Sequence, residues 1–416
     1  MLWRSLVLLV AALALLVARD CLAAGEEAAA EGSSSPVDVS FDPGSGLIMT
    51  AADGALVLKP IGIAQPLFTA RIAPSSDDPV AGSGFTLRRG ALGFDARLWS
   101  WARVFFTANI GRGRLELWDY FVEIDPLEGA LALRAGRFRP WLGRQRLMGC
   151  HKYQFVQLSR AMTGLLQMGD GRDLGVGLHG MLGETLEYGL GAWNGEWSDF
   201  APQSGDSTPE GVSIPPNRGV QLGGRLAVHP LSPLPLGEEP DLAASPEPRM
   251  VLAAAAIYNP RHDRTLNLPA FDRDVRYEDH LVQLGGEAAF KWRGLSAVAE
   301  LFLARAWLDE GAAPEIADRH RSQGLDEWGV GTYAQLGWFV VEQRLELAAR
   351  FDFLDTNAEL RGADLYPAGG VNLYLVGYLL ELQLMYRATL AAGYGDDDPG
   401  RPATAHDVFL MLQAAI

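Results

Sequence analysis

Residues 344–355 read RLELAARFDFLD. Leu345, Leu347, Ala349, Phe351 and Phe353 alternate with Arg344, Glu346, Ala348, Arg350 and Asp352, so an extended chain here is apolar on one face and largely polar on the other. A soluble antiparallel sheet can carry such a strand, with one face on a core and one in water. The wall of a transmembrane barrel carries it too, with the apolar face in lipid and the polar face in a wet lumen. The rest of the chain has to decide between the two.

Similar alternation recurs. Leu380, Leu382, Leu384 and Tyr386 alternate with Glu381, Gln383, Met385 and Arg387, and Ala102, Val104, Phe106, Ala108 and Ile110 with Arg103, Phe105, Thr107 and Asn109. Trp118, Tyr120, Val122 and Ile124 form a third apolar face. Strands are expected near 62–73, 84–98, 101–111, 114–125, 130–138, 172–182, 185–194, 218–229, 249–259, 280–292, 294–308, 327–340, 344–354, 368–376, 379–391 and 405–416, an even set of sixteen. In 84–98, Phe85 and Leu87 are out of phase with Leu92, Phe94 and Leu98, which a β-bulge near Gly90 reconciles. Short turns at 183–185, 292–294, 341–343 and 376–378 alternate with longer polar stretches at 74–83, 195–217, 260–279, 309–326, 355–367 and 392–404. Segregating short from long connections is the habit of outer-membrane barrels, whose short turns lie on the periplasmic rim. The stretch PLSPLPLGEEPDLAASPEP (230–248) is long where a short turn is due, and reads as a semi-rigid periplasmic insertion. The expected architecture is an all-β, transmembrane antiparallel barrel of about sixteen strands over 55–416.

The amino terminus agrees with export. A basic start, the apolar run SLVLLVAALALLVA and small residues after it have the order of a secretory signal peptide, expected over 1–24, with a linker or periplasmic segment at 25–54. Removal of that peptide leaves Cys150 as the only cysteine, so no intrachain disulfide frames the fold. Beyond it no apolar run could form a membrane helix, which leaves a closed barrel as the way to cross a bilayer.

The net charge of −16 argues against nucleic-acid binding, but the charge is uneven. From Arg71 to Arg172 there are 15 Arg and Lys against 9 acids, an excess of six, so the remainder carries −22. At the centre of that region, residues 133–160 contain Arg134, Arg137, Arg139, Arg144, Arg146, Lys152 and Arg160, together with Trp141, Tyr153 and Phe155. The connection is about thirty residues long, a length that is usually functional or disordered. Its apolar content favours packing, so it is expected to fold inward as the third loop and narrow the pore, bringing cations to the constriction. The alternative is a loop on the outer rim with solvated charges. Arg88 and Arg89 form a second basic pair that either lines the pore or pairs with an acid such as Asp119. Arg103 and Arg350 fall at lumen positions, as do Glu300, Gln335, Arg344, Glu346, Asp352, Glu381 and Arg387, a mixture of signs that could lock the wall as a cross-strand lattice.

Catalytic signals are thin. The sequence has no nucleophile-elbow, zinc-protease or phosphate-loop motif, its histidines lack ligand spacing, and neither a metal nor another cofactor is expected. An enzyme is not expected either.

Several stretches together, FTLRRGALGFDARL (85–98), LRAGRFRPWLGRQRL (133–147), RDLGVGLHGML (172–182), LEYGLGAWNG (186–195), GGRLAVHP (223–230), YAQLGWFVVEQRLELAARFDFLD (333–355) and GGVNLYLVGYLLELQLMYR (369–387), resemble the phosphate-selective porin family of bacterial outer membranes. The resemblance implies a sixteen-stranded barrel, usually a homotrimer, with an inward third loop and basic residues along the route of phosphate or polyphosphate. By position it implies that Arg88 and Arg89 match the family's basic pair, Asp119 its acidic strand position, and Lys152 its loop lysine. The expected function is passive diffusion of small anions across the outer membrane, the alternatives being a general or carbohydrate porin and, less favoured, a barrel enzyme.

Overall fold

The computed structural model describes residues 37–42, 46–72, 80–113, 115–166, 171–195, 219–268, 273–310, 312, 314–322, 325–356, 362–393 and 404–416. The signal peptide and the stretch 25–36 lie outside the described residues, as does the acidic stretch 396–400.

A closed antiparallel barrel of sixteen strands is built from β3 (Leu56–Ile72), β4 (Val80–Leu98), β5 (Ala102–Asn109), β6 (Glu116–Ile124), β7 (Ala132–Phe138), β8 (Asp173–Leu182), β9 (Leu186–Trp193) and β10 (Gln221–Val228). It continues through β11 (Arg249–Leu268), β12 (Arg273–Trp292), β13 (Leu295–Trp307), β14 (Gly329–Val341), β15 (Leu345–Asp355), β16 (Ala363–Val376), β17 (Leu380–Ala392) and β18 (Ala405–Ala415). Each strand pairs with its sequence neighbour, and β18 closes on β3 with Val408 opposite Ala70 and Ala414 opposite Ala64. Closure removes the edges that a bilayer cannot hydrate. No helix among the described residues is long and apolar enough to cross a membrane.

The wall is inverted relative to a water-soluble protein. On β14 and β15, Leu336, Trp338, Leu347 and Phe351 face outward while Gln335, Glu346, Arg350 and Asp352 are buried inside; Phe351 is 48% exposed and its neighbour Arg350 3%. Apolar side chains on the outside of a closed wall have one compatible solvent, lipid. Aromatic stacks flank the band: Tyr258, His280 and Trp307 towards the long-loop rim, and Trp99 against Trp101 at 5.4 Å at the short-turn rim.

All sixteen expected strands are present, with three additions. Residues 260–279, expected as a loop, extend the β11–β12 ladder to the Leu268–Arg273 pair past a bulge at Asn259/His262, because the polar residues there continue the pairing. Residues 309–326 hold a helix, α3 (Pro314–Ser322). Within the expected linker, β1 (Asp38–Asp42) pairs with β2 (Gly46–Ala51), and β2 goes on to pair with the foot of β3.

The long β7–β8 connection folds into the lumen and carries two short helices, α1 (Arg144–Leu147) and α2 (Arg160–Leu166). Its apolar side chains Leu142, Ala161, Met162, Leu165 and Leu166 are buried against Ile257, Val298, Phe302, Tyr333 and Leu354 of the wall. At about 1.5–3 kcal/mol for each fully buried large side chain, this face alone gives the loop a strong reason to leave water. Glycines mark its footprint. A Cβ at Gly177 would sit 2.3 Å from Trp141, one at Gly331 2.7 Å from the Ala161 carbonyl, and one at Gly370 3.1 Å from Phe155. Inward strand glycines thus allow another chain segment to approach the sheet closely.

Candidate functional site

The loop is held by a row of buried wall side chains. The Glu300 carboxylate accepts the backbone N–H of Arg144 at 2.7 Å and of Gln145 at 3.4 Å. Further along, Gln154 donates to Glu346 and Ser296, and Asn372 and Gln383 donate to the carbonyls of Gln154 and Tyr153. Asp352 accepts the Ser159 hydroxyl and the Arg160 N–H, and Arg350 donates to the Gln157 carbonyl at 2.9 Å. A buried loop backbone needs such partners, since an unmade hydrogen bond costs about 1–3 kcal/mol. The mixed-sign residues Glu300, Gln335, Glu346, Arg350 and Asp352 therefore grip the third loop; cross-strand bonds of the expected lattice join Glu300 to Tyr333, Glu346 to Asn372 and Arg387 to Asp407, while Arg344 lies exposed in a turn.

Residues 230–248 also turn into the lumen, from the opposite rim. Glu239 is buried and accepts from Gln145 Nε2 and the Gln154 N–H, both at 2.7 Å, while its own N–H donates to the Lys152 carbonyl. The Pro235 carbonyl accepts from Arg144, and Lys291 donates to the Pro240 carbonyl at 2.6 Å. The expected semi-rigid turn insertion is thus an inward prop beneath the third loop. Its composition hid this, because a Pro-rich polar stretch and a carboxylate with buried partners are not told apart by residue type.

Among the described residues the lumen holds two sizeable open spaces. The upper one, towards the long-loop rim, is a cavity of about 450 Å³ lined by Arg71, Arg88, Arg160 and Arg387 with Asp407, Thr69, Gln157 and Thr163. Arg71 and Arg387 each reach Asp407 at 2.7 Å, so one carboxylate serves two guanidinium groups. Four arginines around one aspartate leave this space cationic. The lower cavity, about 580 Å³ and towards the short-turn rim, is lined by Arg103, Arg134, Arg139, Arg172 and Arg225, by Trp118, Phe105, Phe121 and Trp141, and by Asp119 and His151. Here four of the five cations are matched by acids: Arg103 binds Asp95 at 2.8 Å, Arg134 binds Glu123 at 2.6 Å, Arg172 binds Asp119 at 2.8 Å, and Arg225 binds Glu187 and Glu287, while Arg139 donates to the carbonyls of Arg146 and Met148. Burial beside Lys152 and Arg89 pushes the His151 imidazole down to about 4, so it is neutral near pH 7.

Comparison with solved structures finds likeness over most of the chain at low identity. The in-vitro folded trimer form of OmpT, an outer membrane protein of Vibrio cholerae, matches with a TM-score of 0.55 at 9% identity, covering 87% of this chain and 100% of that one. The anion-selective porin from Comamonas acidovorans matches at 0.53 and 12%, with the same coverage, 87% and 100%. The outer membrane channel DcaP of Acinetobacter baumannii matches at 0.52 and 11%, covering 88% and 98%. The fold is that of an outer-membrane porin. No family model and no curated protein matches the sequence. With its lipid-facing apolar wall, the porin barrel places this protein in the bacterial outer membrane.

Within the barrel lumen the expected site residues divide into groups. Arg88 and Arg160 face the upper cavity, where they join Arg387, expected at a lumen position, and Arg71, which the sequence does not single out. Arg89 donates to Gln65 at 2.9 Å and lies over the Tyr153 ring at 5.7 Å. Both members of the basic pair turn inward because Gln65 pairs with Arg89 and Pro66 with Leu87, which leaves Arg88 as the extra residue of a bulge. Asp119 does not partner them; it holds Arg172. Arg103, Asp119, Arg134 and Arg139 line the lower cavity. A second bulge at Phe106/Ala108 turns Trp118 inward as well, so its expected place on the lipid face is corrected. Lys152 lies over the Tyr378 ring at 5.7 Å, near the short-turn rim.

Three expected pore cations have other work. Arg144 is buried against Glu287 at 3.1 Å, Arg146 donates to the Gly171 carbonyl at 2.7 Å, and Arg350 is enclosed with Asp352 at 2.9 Å. Their guanidinium groups fasten the third loop instead of meeting pore water. For Arg144 nothing in the local sequence marks this, since Glu287 and Glu300 lie well over a hundred residues further along the chain, whereas Arg350 has its partner Asp352 two residues on.

Proposed function

We propose that this protein is a porin for passive diffusion of small anions, with phosphate or polyphosphate as the preferred solutes, working as a homotrimer and not as an enzyme. The observation that carries the reading is the upper cavity, where four arginines crowd a narrow space beside the third loop with one aspartate among them. Fixed guanidinium groups replace part of an anion's hydration shell, and their planar forks match phosphate oxygens. Asp407 moderates the attraction, and weak, multi-site binding is what flux requires. The trimeric OmpT form and the anion-selective porin from Comamonas acidovorans support the reading by analogy of fold.

Proteoliposomes test it. Labelled phosphate should enter faster than a neutral sugar of similar size, with no hydrolysis of lipid or peptide substrates. Equal rates would favour a general or carbohydrate porin, and hydrolysis by an impermeant protein would favour a barrel enzyme.

A further inference from the structure

We infer that the lower cavity is a binding subsite for planar aromatic carboxylates. This rests on the porin reading and adds to it a class of organic solute. At about 580 Å³ the cavity falls within the roughly 300–1,000 Å³ of small-molecule sites. Its lining departs from the polar lumen of a channel that handles only inorganic ions, because Phe105, Phe121 and Trp118 occupy inward positions.

The rings and cations interleave. Arg134 lies 4.3 Å from the centroid of Phe121, Arg103 lies 5.2 Å from that of Phe105, and Arg172 lies 4.7 Å from that of Trp118. Such a wall offers a flat π-system both ring and guanidinium faces, and a guanidinium carries five N–H donors for a carboxylate. Because four of the five lining arginines are matched by acids, long-range attraction for any anion is muted here, unlike in the upper cavity. Discrimination therefore falls to shape and stacking.

The test is calorimetric titration of the full-length protein in detergent with benzoate and with acetate, which share a charged group and differ in the ring, after subtracting heats into detergent alone. Benzoate should bind about ten-fold more tightly than acetate, the factor that one aromatic contact is worth. Trp118→Leu and Phe105→Leu, checked for an intact heat-modifiable barrel, should each reduce that ratio. Equal binding of the two acids by the native protein, or a ratio unchanged in both variants, would overturn the assignment. Bilayer recordings separate the two readings: conduction without ring preference removes the subsite alone, and ring-selective binding by a non-conducting protein removes the porin reading alone.

Discussion

Replacing Asp352 by Ala should release the middle of the third loop. The carboxylate is fully buried and accepts the Ser159 hydroxyl, the Arg160 N–H at 2.8 Å and Arg350 Nε at 2.9 Å. Its loss strands a buried guanidinium, which retains the Gln157 and Leu158 carbonyls, and uncaps the first turn of α2. Breaking a buried pair from one side costs about 3–5 kcal/mol. An increase of that size raises the undocked fraction of this segment by about two to three and a half orders of magnitude. Arg160 is exposed but sits in helical backbone, so trypsin must wait for opening before cutting after it. When reclosing is fast, cleavage tracks the open population, and the rate in proteoliposomes should rise by a comparable factor. Single channels should become noisier and more conductive. An unchanged cleavage rate in a variant that still forms a heat-modifiable barrel would refute the assignment of Asp352 as a loop anchor.

Other consequences follow from the same geometry. Gly331→Leu places a side chain against the Ala161 backbone carbonyl, 2.7 Å from the new Cβ, and should displace α2 at a cost of about 1–3 kcal/mol or more, read as higher conductance with the barrel intact. Arg88→Ala with Arg160→Ala removes two of the four cations of the upper cavity and should weaken phosphate block of the chloride current several-fold, most at low salt. His151 titrates at about 4 in the docked loop against about 6.5 for a free imidazole, so docking is fully favoured above pH 6.5 and weakens by about 1.4 kcal/mol per unit as pH falls towards 4. Channel noise should therefore grow between pH 6.5 and 4.5, and His151→Gln should flatten that dependence.

The barrel was legible because alternation is a local property. RLELAARFDFLD already separates Phe351 from Arg350, and the inside–outside assignment along β15 follows. The inward loop was legible from its length and from residues such as Trp141 and Phe155, which had to be buried somewhere. The bulges were legible only in part: the phase break around Gly90 announced one, whereas nothing near Trp118 announced the other, since a bulge is settled by pairing with the facing strand. Which arginines face the cavities was legible only in part: Arg88, Arg103, Arg134, Arg139 and Arg160 line them as expected, whereas Arg144, Arg146 and Arg350 do not. Arg144 and Arg160 look alike in sequence, and only the distant Glu287 and Glu300 make the first a fastener. The same holds for Glu239, whose partners Gln145 and Gln154 come from the opposite rim.

The central claim is that the cationic upper cavity governs what passes. The most direct test is the reversal potential of the purified protein in a planar bilayer under a potassium chloride gradient, repeated with phosphate added. The account predicts an anion-selective sign and a chloride conductance reduced by phosphate. A cation-selective or neutral potential, with no effect of phosphate, would contradict it and leave the acidic remainder of the lumen in control of the pore.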